Sequence, residues 1–231
     1  MGQQPLMPLR IFRARNRSGA YLLSLAVGAT LSGMLFLLTL FLQNVLGLTP
    51  LQAGFAFLPT AIGVVIGAAI TSQLIGRVGP RPPMMVGSVL VAIGLCWLAR
   101  ITVHSTYFSD VLGPLVVLSL GLGQIFVSTS SAAISDIRSS ESGLASALLN
   151  VGRQLGGSLG IAAMGAVAAT VTKDQLAGGV PTHAAVNQAL TSGFSGAFEL
   201  AGFIALAGFI AAALAVRHAK TLEAIPSQDA A

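Results

Sequence analysis

Apolar stretches of membrane length alternate with short polar connections along this chain, six times over. Spans of about 18–46, 51–76, 84–101, 110–134, 142–171 and 196–216 each carry enough apolar residues to cross a hydrocarbon core about 30 Å thick as a helix. Polar positions inside these spans recur at helical spacing. Ser32, Thr39 and Gln43 share one face of the first span, with Tyr21 and Phe36 close to the same stripe. Gln124, Ser128, Ser131 and Ser135 form a more regular stripe on the fourth. Gly63 and Gly67 make a small-residue surface on the second span, and Gly152, Gly156 and Gly160 make another on the fifth. A polar stripe on an apolar helix fits a cavity wall or helix–helix hydrogen bonding, and both readings stay open.

The fifth span carries the one charge that cannot easily reach water. Asn150, Arg153, Gln154 and Gly157 fall on one helical face, about 110° from the glycine stripe. Arg153 lies about 15 Å past Gly143 at 1.5 Å per residue, which is near mid-membrane. An arginine there costs roughly 2.5–3.5 kcal/mol on insertion scales, so it is expected to face the bundle interior or a wet cavity. It either ties helices together or acts in a pathway or gate.

The connections are legible from their turn residues. Thr49-Pro50-Leu51-Gln52 reads as a capped helix start, and Pro59 can kink the span that follows. Gly76-Arg77-Val78-Gly79-Pro80-Arg81 is a tight turn with two arginines. The third span is apolar nearly all round and is expected at the periphery. Residues 102–109 form a short loop, and Asp136, Arg138 and Glu141 lie in the next, where local ion pairing is expected. Residues 172–195, with Gly178, Gly179, Pro181 and His183, read as a long loop. Glu199 then falls near the start of the last span, at the interface. Residues 1–17 form a basic leader and 217–231 a polar tail; no signal peptide is read ahead of the first span, which is expected to insert and stay.

Composition narrows the class. The 231 residues are 54% hydrophobic and 8% charged, where a soluble domain carries about 25% charged residues. A soluble enzyme is excluded, and the lipid bilayer is the expected surrounding. The net charge of +5 would suggest nucleic acid in a soluble protein; here the basic residues flank apolar spans, so they set topology and meet anionic lipid. The single Cys96 and three scattered histidines offer neither an intrachain disulfide nor a metal set, and no phosphate loop or triad spacing is present. No cofactor, metal or catalytic residue is expected. Nine Lys and Arg fall in connections on the side of the N-terminus and two, Arg100 and Lys173, on the other, with Arg153 the twelfth. The positive-inside rule makes both termini cytoplasmic.

Polar stripes on spans one and four, glycine seams on two and five, and bland spans three and six make a three-plus-three pattern. Three is odd, so the two triplets insert with opposite orientation, as in carriers that work by alternating access. These residues resemble the major facilitator superfamily, specifically the C-terminal half of its fourteen-helix drug/proton antiporter branch. The likeness rests on Pro8-Leu9-Arg10-Ile11-Phe12, Gln52-Ala53-Gly54-Phe55-Ala56-Phe57-Leu58-Pro59, Arg77-Val78-Gly79-Pro80-Arg81 and Asn150-Val151-Gly152-Arg153-Gln154-Leu155-Gly156-Gly157-Ser158-Leu159-Gly160. Arg77, Gly79 and Arg81 resemble a second copy of the superfamily's cytoplasmic loop signature, with Gly76 where that signature has aspartate.

The resemblance implies an all-α membrane protein, six helices as an inverted repeat, one half of a major facilitator fold. It also implies export of small amphipathic compounds across the plasma membrane, driven by protons. The family's proton-coupling carboxylates lie mainly in the other half, and no acid is read at mid-span here. Three readings follow. The chain is half of an exporter that needs an N-terminal half, two copies pair to rebuild twelve helices, or it is a non-transporting membrane protein or an inert fragment.

Overall fold

The computed structural model describes residues 15–134, 142–177 and 182–215. All regular structure among them is helical: α1 (Arg15–Asn44), α2 (Pro50–Ala56), α3 (Leu58–Val78), α4 (Arg81–Leu98), a π-helical turn (Tyr107–Val111) leading into α5 (Leu112–Ile134), α6 (Ser142–Leu176) and α7 (His183–Ala215). Six segments are long and apolar enough to cross a membrane, α2 with α3 forming the second and the π turn with α5 the fourth.

Local chemistry sets the helix ends. Past α1, Gly47 adopts φ +68° and the Leu48 N–H returns to the Leu42 carbonyl at 3.0 Å. Thr49 and Gln52 then cap each other reciprocally: the Gln52 N–H donates to Thr49 Oγ1 at 3.3 Å and the Thr49 N–H to Gln52 Oε1 at 2.9 Å. Pro59 does more than bend the second span. It has no N–H and its ring crowds the preceding turn, so the helix breaks at Phe57 into α2 and α3. The Tyr107 hydroxyl donates to the carbonyl of Ala56, the last α2 residue, at 2.7 Å. Gly79, at φ +75°, stops α3 with its N–H on the Ile75 carbonyl at 2.9 Å.

The helices exchange partners between the two triplets. α1 packs along α6 and α7, α5 packs along α3 and α4, and α7 also lies against α4 and α6. Leu25 meets Gly156, Ala29 meets Gly160 and Gly33 meets Met164, so α1 and α6 run parallel. Gly63 meets Ser119 and Gly67 meets Leu120, so α3 and α5 run parallel too. Each triplet's first helix is seated on the other triplet's second helix. Together these contacts build the inverted repeat. Phe41, Phe198, Leu23, Met34 and Leu95 are buried where the triplets meet, and Phe41 stands edge-on to Phe194 at 6.2 Å between centroids. α3 and α6 are the least enclosed spans. Ile62, Val65 and Ile66 on α3, and Val151, Leu155 and Leu159 on α6, face outward.

The largest departure from the sequence reading lies between α6 and α7. The expected loop 172–195 is helical over most of its length, because α6 runs on to Leu176 and α7 starts at His183, not near Gly196. Thr182 caps the new start: the Ala185 N–H reaches Thr182 Oγ1 at 3.3 Å and the Val186 N–H the Thr182 carbonyl at 3.0 Å. Thr172 Oγ1 donates to the Ala168 carbonyl at 2.7 Å and reaches the Ala189 carbonyl at 3.2 Å, tying the two extensions together. The turn residues govern only the few positions between the helices, while the alanine-rich run after Thr182 favours helix. Glu199 therefore lies about 24 Å along α7 and not at the helix start, one turn past Ser195, whose hydroxyl donates to the Ala99 carbonyl at the end of α4. The fourth span starts at Tyr107, ahead of the expected Asp110. Ser135, Asp136, Arg138, Glu141, Gly178, Gly179, Pro181, the leader arginines Arg10 and Arg13, and the tail lie outside the described residues.

Candidate functional site

Arg153 stands where α6 passes both α1 and α5. Its backbone carbonyl presses on Gly28 of α1, where a Cβ would overlap it. That contact fixes the backbone and leaves the side chain to the adjoining face. There Arg153 Nη2 donates to Asn150 Oδ1 at 2.5 Å, and the guanidinium carbon lies 5.3 Å from the ring centroid of Phe126 on α5. An arginine over an aromatic face within about 6 Å gains roughly 0.5–2 kcal/mol, more as water is excluded. Arg153 is half-buried, while Asn150 and Gln154 are exposed. The face that holds these groups is therefore open and polar, and it adjoins a tight seam.

That seam comes from glycine. A Cβ on Gly156 would overlap the carbonyl oxygen of Leu25, and one on Gly160 the carbonyl of Ala29. Gly67 meets the Leu120 carbonyl in the equivalent α3–α5 seam, and Gly63 meets the Ser119 hydroxyl. Gly152 differs: its Cβ would lie 3.6 Å from the nearest atom, an ordinary contact. The stripe of three glycines is thus two close contacts and one open position.

The polar stripes are brought together only in part. Ser32 Oγ lies 2.7 Å from where a Gly157 Cβ would sit, so the α1 stripe meets the polar face of α6 there. Ser128 is fully buried and donates to the Gln124 carbonyl at 2.7 Å; it lines no open surface. Thr39 donates to the Leu35 carbonyl at 2.7 Å. Hydroxyls one turn beyond a carbonyl are satisfied by their own helix, which is why spacing alone overstates such a stripe. Gln43, Gln124 and Ser131 are half-buried. Arg77 closes α3, exposed, and Arg81 opens α4, half-buried, on either side of Gly79.

Two contacts escape the sequence reading. Phe126 is the one aromatic residue of α5 and sits between Gln124 and Ser128; that isolation was the available signal. Ser24 Oγ, buried, donates to the Leu149 carbonyl at 2.8 Å across the α1–α6 seam. A cavity of about 690 Å³ also opens between the C-terminal parts of α1 and α6 and the first turns of α7, lined by Phe36, Leu40, Asn44, Lys173, Leu190 and Phe194. Pockets for small molecules commonly run from roughly 300 to 1,000 Å³.

Six membrane-length helices in an inverted repeat, with glycine seams and a half-buried arginine within the fifth, define a multi-pass membrane protein of transporter architecture. Residues 2–161 match the sequence profile of the Major Facilitator Superfamily, and the chain belongs to that superfamily. Among its relatives is the tetracenomycin C resistance and export protein of Streptomyces glaucescens, 33% identical over 74% of this chain and 32% of that protein. The cephamycin export protein CmcT of Amycolatopsis lactamdurans is 34% identical over 69% of this chain and 33% of its own length. The puromycin resistance protein pur8 of Streptomyces alboniger is 30% identical over 86% of this chain and 40% of its own length. The chain thus spans between about a third and two fifths of the length of these curated relatives.

Proposed function

We propose that this chain is one six-helix bundle of a carrier that exports small amphipathic molecules by alternating access, coupled to protons, in the plasma membrane. The observation that carries the reading is Arg153, about a third of the way along α6, half-buried and held by Asn150 and Phe126 beside the α1–α6 seam. A charge within a membrane span is expensive unless polar partners or a wet path surround it, and the open polar face beside Arg153 is read as that path. Gln154, Gln124, Ser32 and Gln43 are the further residues assigned to that path. The named relatives export or resist antibiotics, which supports an amphipathic cargo. None of the described acids approaches Arg153, so the proton-carrying carboxylate is assigned to a second bundle.

That second bundle covers the open faces of α3 and α6. It is the N-terminal half of the transporter or, because both termini are read as cytoplasmic, a second copy related by an axis along the membrane normal. A chain that stays monomeric in detergent at high concentration removes the second copy. The test of the carrier reading is efflux of an amphipathic dye from a pump-deficient host that expresses the complete transporter. Arg153→Ala is expected to lower efflux at least tenfold while leaving the protein inserted, and Arg153→Lys to restore part of it. Unchanged efflux in the alanine variant makes Arg153 a structural tie and refutes the assignment.

A further inference from the structure

Away from Arg153, α4 and α7 enclose a groove of about 490 Å³ with two unlike ends. Arg100 and Glu199 form one end, Val89, Ile93 and Leu206 the other, with Cys96 and Phe203 between. The polar end lies at the edge of the membrane. α4 has 18 residues, about 27 Å, close to the thickness of the hydrocarbon core, so its last turn marks one surface. Ser195 Oγ donates to the Ala99 carbonyl, which sets that residue level with the end of α4. Glu199 follows one turn later, about 6 Å inward, and Gly202 then meets Cys96.

Glu199 is exposed, directed out of the bundle. Neither its carboxylate nor the Arg100 guanidinium has a hydrogen bond or ion pair among the described residues. A carboxylate facing lipid at this depth is costly without a cationic partner. One positive and one negative group at the same end of an apolar trough complement an amphiphile that carries both charges on its head.

We propose that this groove binds a phospholipid with a primary-amine headgroup. The ammonium donates to the Glu199 carboxylate, the phosphate accepts from Arg100, and an acyl chain lies along Val89, Ile93 and Leu206. A quaternary ammonium brings the charge but no N–H to donate. An anionic headgroup without an amine satisfies Arg100 and leaves Glu199 unpaired.

The chain's single cysteine reads the occupancy, because Cys96 is exposed inside the groove. The full chain is reconstituted in phosphatidylcholine vesicles alone, or with added phosphatidylethanolamine or phosphatidylglycerol, and Cys96 alkylation by N-ethylmaleimide is followed by mass spectrometry. Phosphatidylethanolamine is expected to slow alkylation several-fold and phosphatidylglycerol to leave it unchanged. Glu199→Gln is expected to abolish that protection without altering the rate in phosphatidylcholine. Equal rates in all three vesicles, or protection that survives in Glu199→Gln, overturn the proposal. A measurement that needs no variant is the lipid retained by the detergent-purified wild-type chain. Enrichment of phosphatidylethanolamine over its share of the source membrane is expected, and retention in proportion to that share overturns it.

Discussion

Replacing Gly156 by alanine adds one methyl group, at a place where it must overlap the Leu25 carbonyl oxygen and come within 3.1 Å of the Ala29 nitrogen. Both are backbone atoms of α1 and cannot rotate aside, so the helices must part. Gly152 lies one turn earlier on the same face of α6, and an added Cβ there meets nothing closer than 3.6 Å. The two substitutions gain the same helix propensity, about 1 kcal/mol over glycine, so their difference isolates the seam. Overpacking a close contact costs typically about 1–3 kcal/mol. Gly152→Ala is therefore expected to be neutral or stabilised by up to about 1 kcal/mol, with Gly156→Ala lower than it by about 1–3 kcal/mol. Gly33→Ala falls between, because the atom it overlaps is the sulfur of Met164, a flexible side chain that can give way. The assay is reversible unfolding of the full chain in mixed micelles, followed by far-UV circular dichroism. Equal stabilities for Gly152→Ala and Gly156→Ala, or the reverse order, refute the claim that glycine brings α1 and α6 into backbone contact.

Gly67→Ala probes the equivalent α3–α5 seam, where the obstacle is the Leu120 carbonyl, and the same unfolding assay should show a loss like that of Gly156→Ala. Phe126→Leu keeps the apolar volume but removes the ring from the Arg153 guanidinium; dye efflux by the complete transporter is expected to fall several-fold, by less than in Arg153→Ala. Thr182→Ala removes the cap of α7 and should cost about 1 kcal/mol, seen as faster hydrogen exchange over 183–190 with the core of α7 unchanged; uniform protection rules out the cap. A cysteine placed at Arg77 in a Cys96→Ser background should react with an impermeant maleimide only from the cytoplasmic side, and one at Lys173 only from outside; the opposite pattern reverses the orientation.

What could be read in advance follows the range of the forces involved. Span number, some helix ends and the small-residue spacing are encoded within a few residues of one another, in hydropathy, caps and period, so Thr49, Gly79 and Gly156 stand out. The extension of α7 back to His183 is different in kind. Its cap at Thr182 is local, but the surface that makes the helix worth forming belongs to α6, through Thr172 and Gly193. A run of turn residues just ahead of it then masks the cap. Ser128 and Thr39 show the converse limit: their period is helical and polar, yet each hydroxyl is satisfied one turn back along its own helix.

The seam and the arginine are one arrangement. Gly28 accepts the backbone of Arg153, so the fit of α6 on α1 sets where the side chain starts, and Asn150 and Phe126 hold its end. Its ring partner belongs to α5, which packs far less closely on α6 than α1 does. α1 with α6, and α5 with α3, are each locked by glycine, whereas the line between the two pairs is looser. α4 and α7, packed on each other, also tie the pairs together, so moving one pair against the other must slide that contact as well as part Arg153 from Phe126. Among the described residues the Arg153–Phe126 contact is the one cation–aromatic bridge between the pairs, and Phe126→Leu removes it without touching either glycine seam.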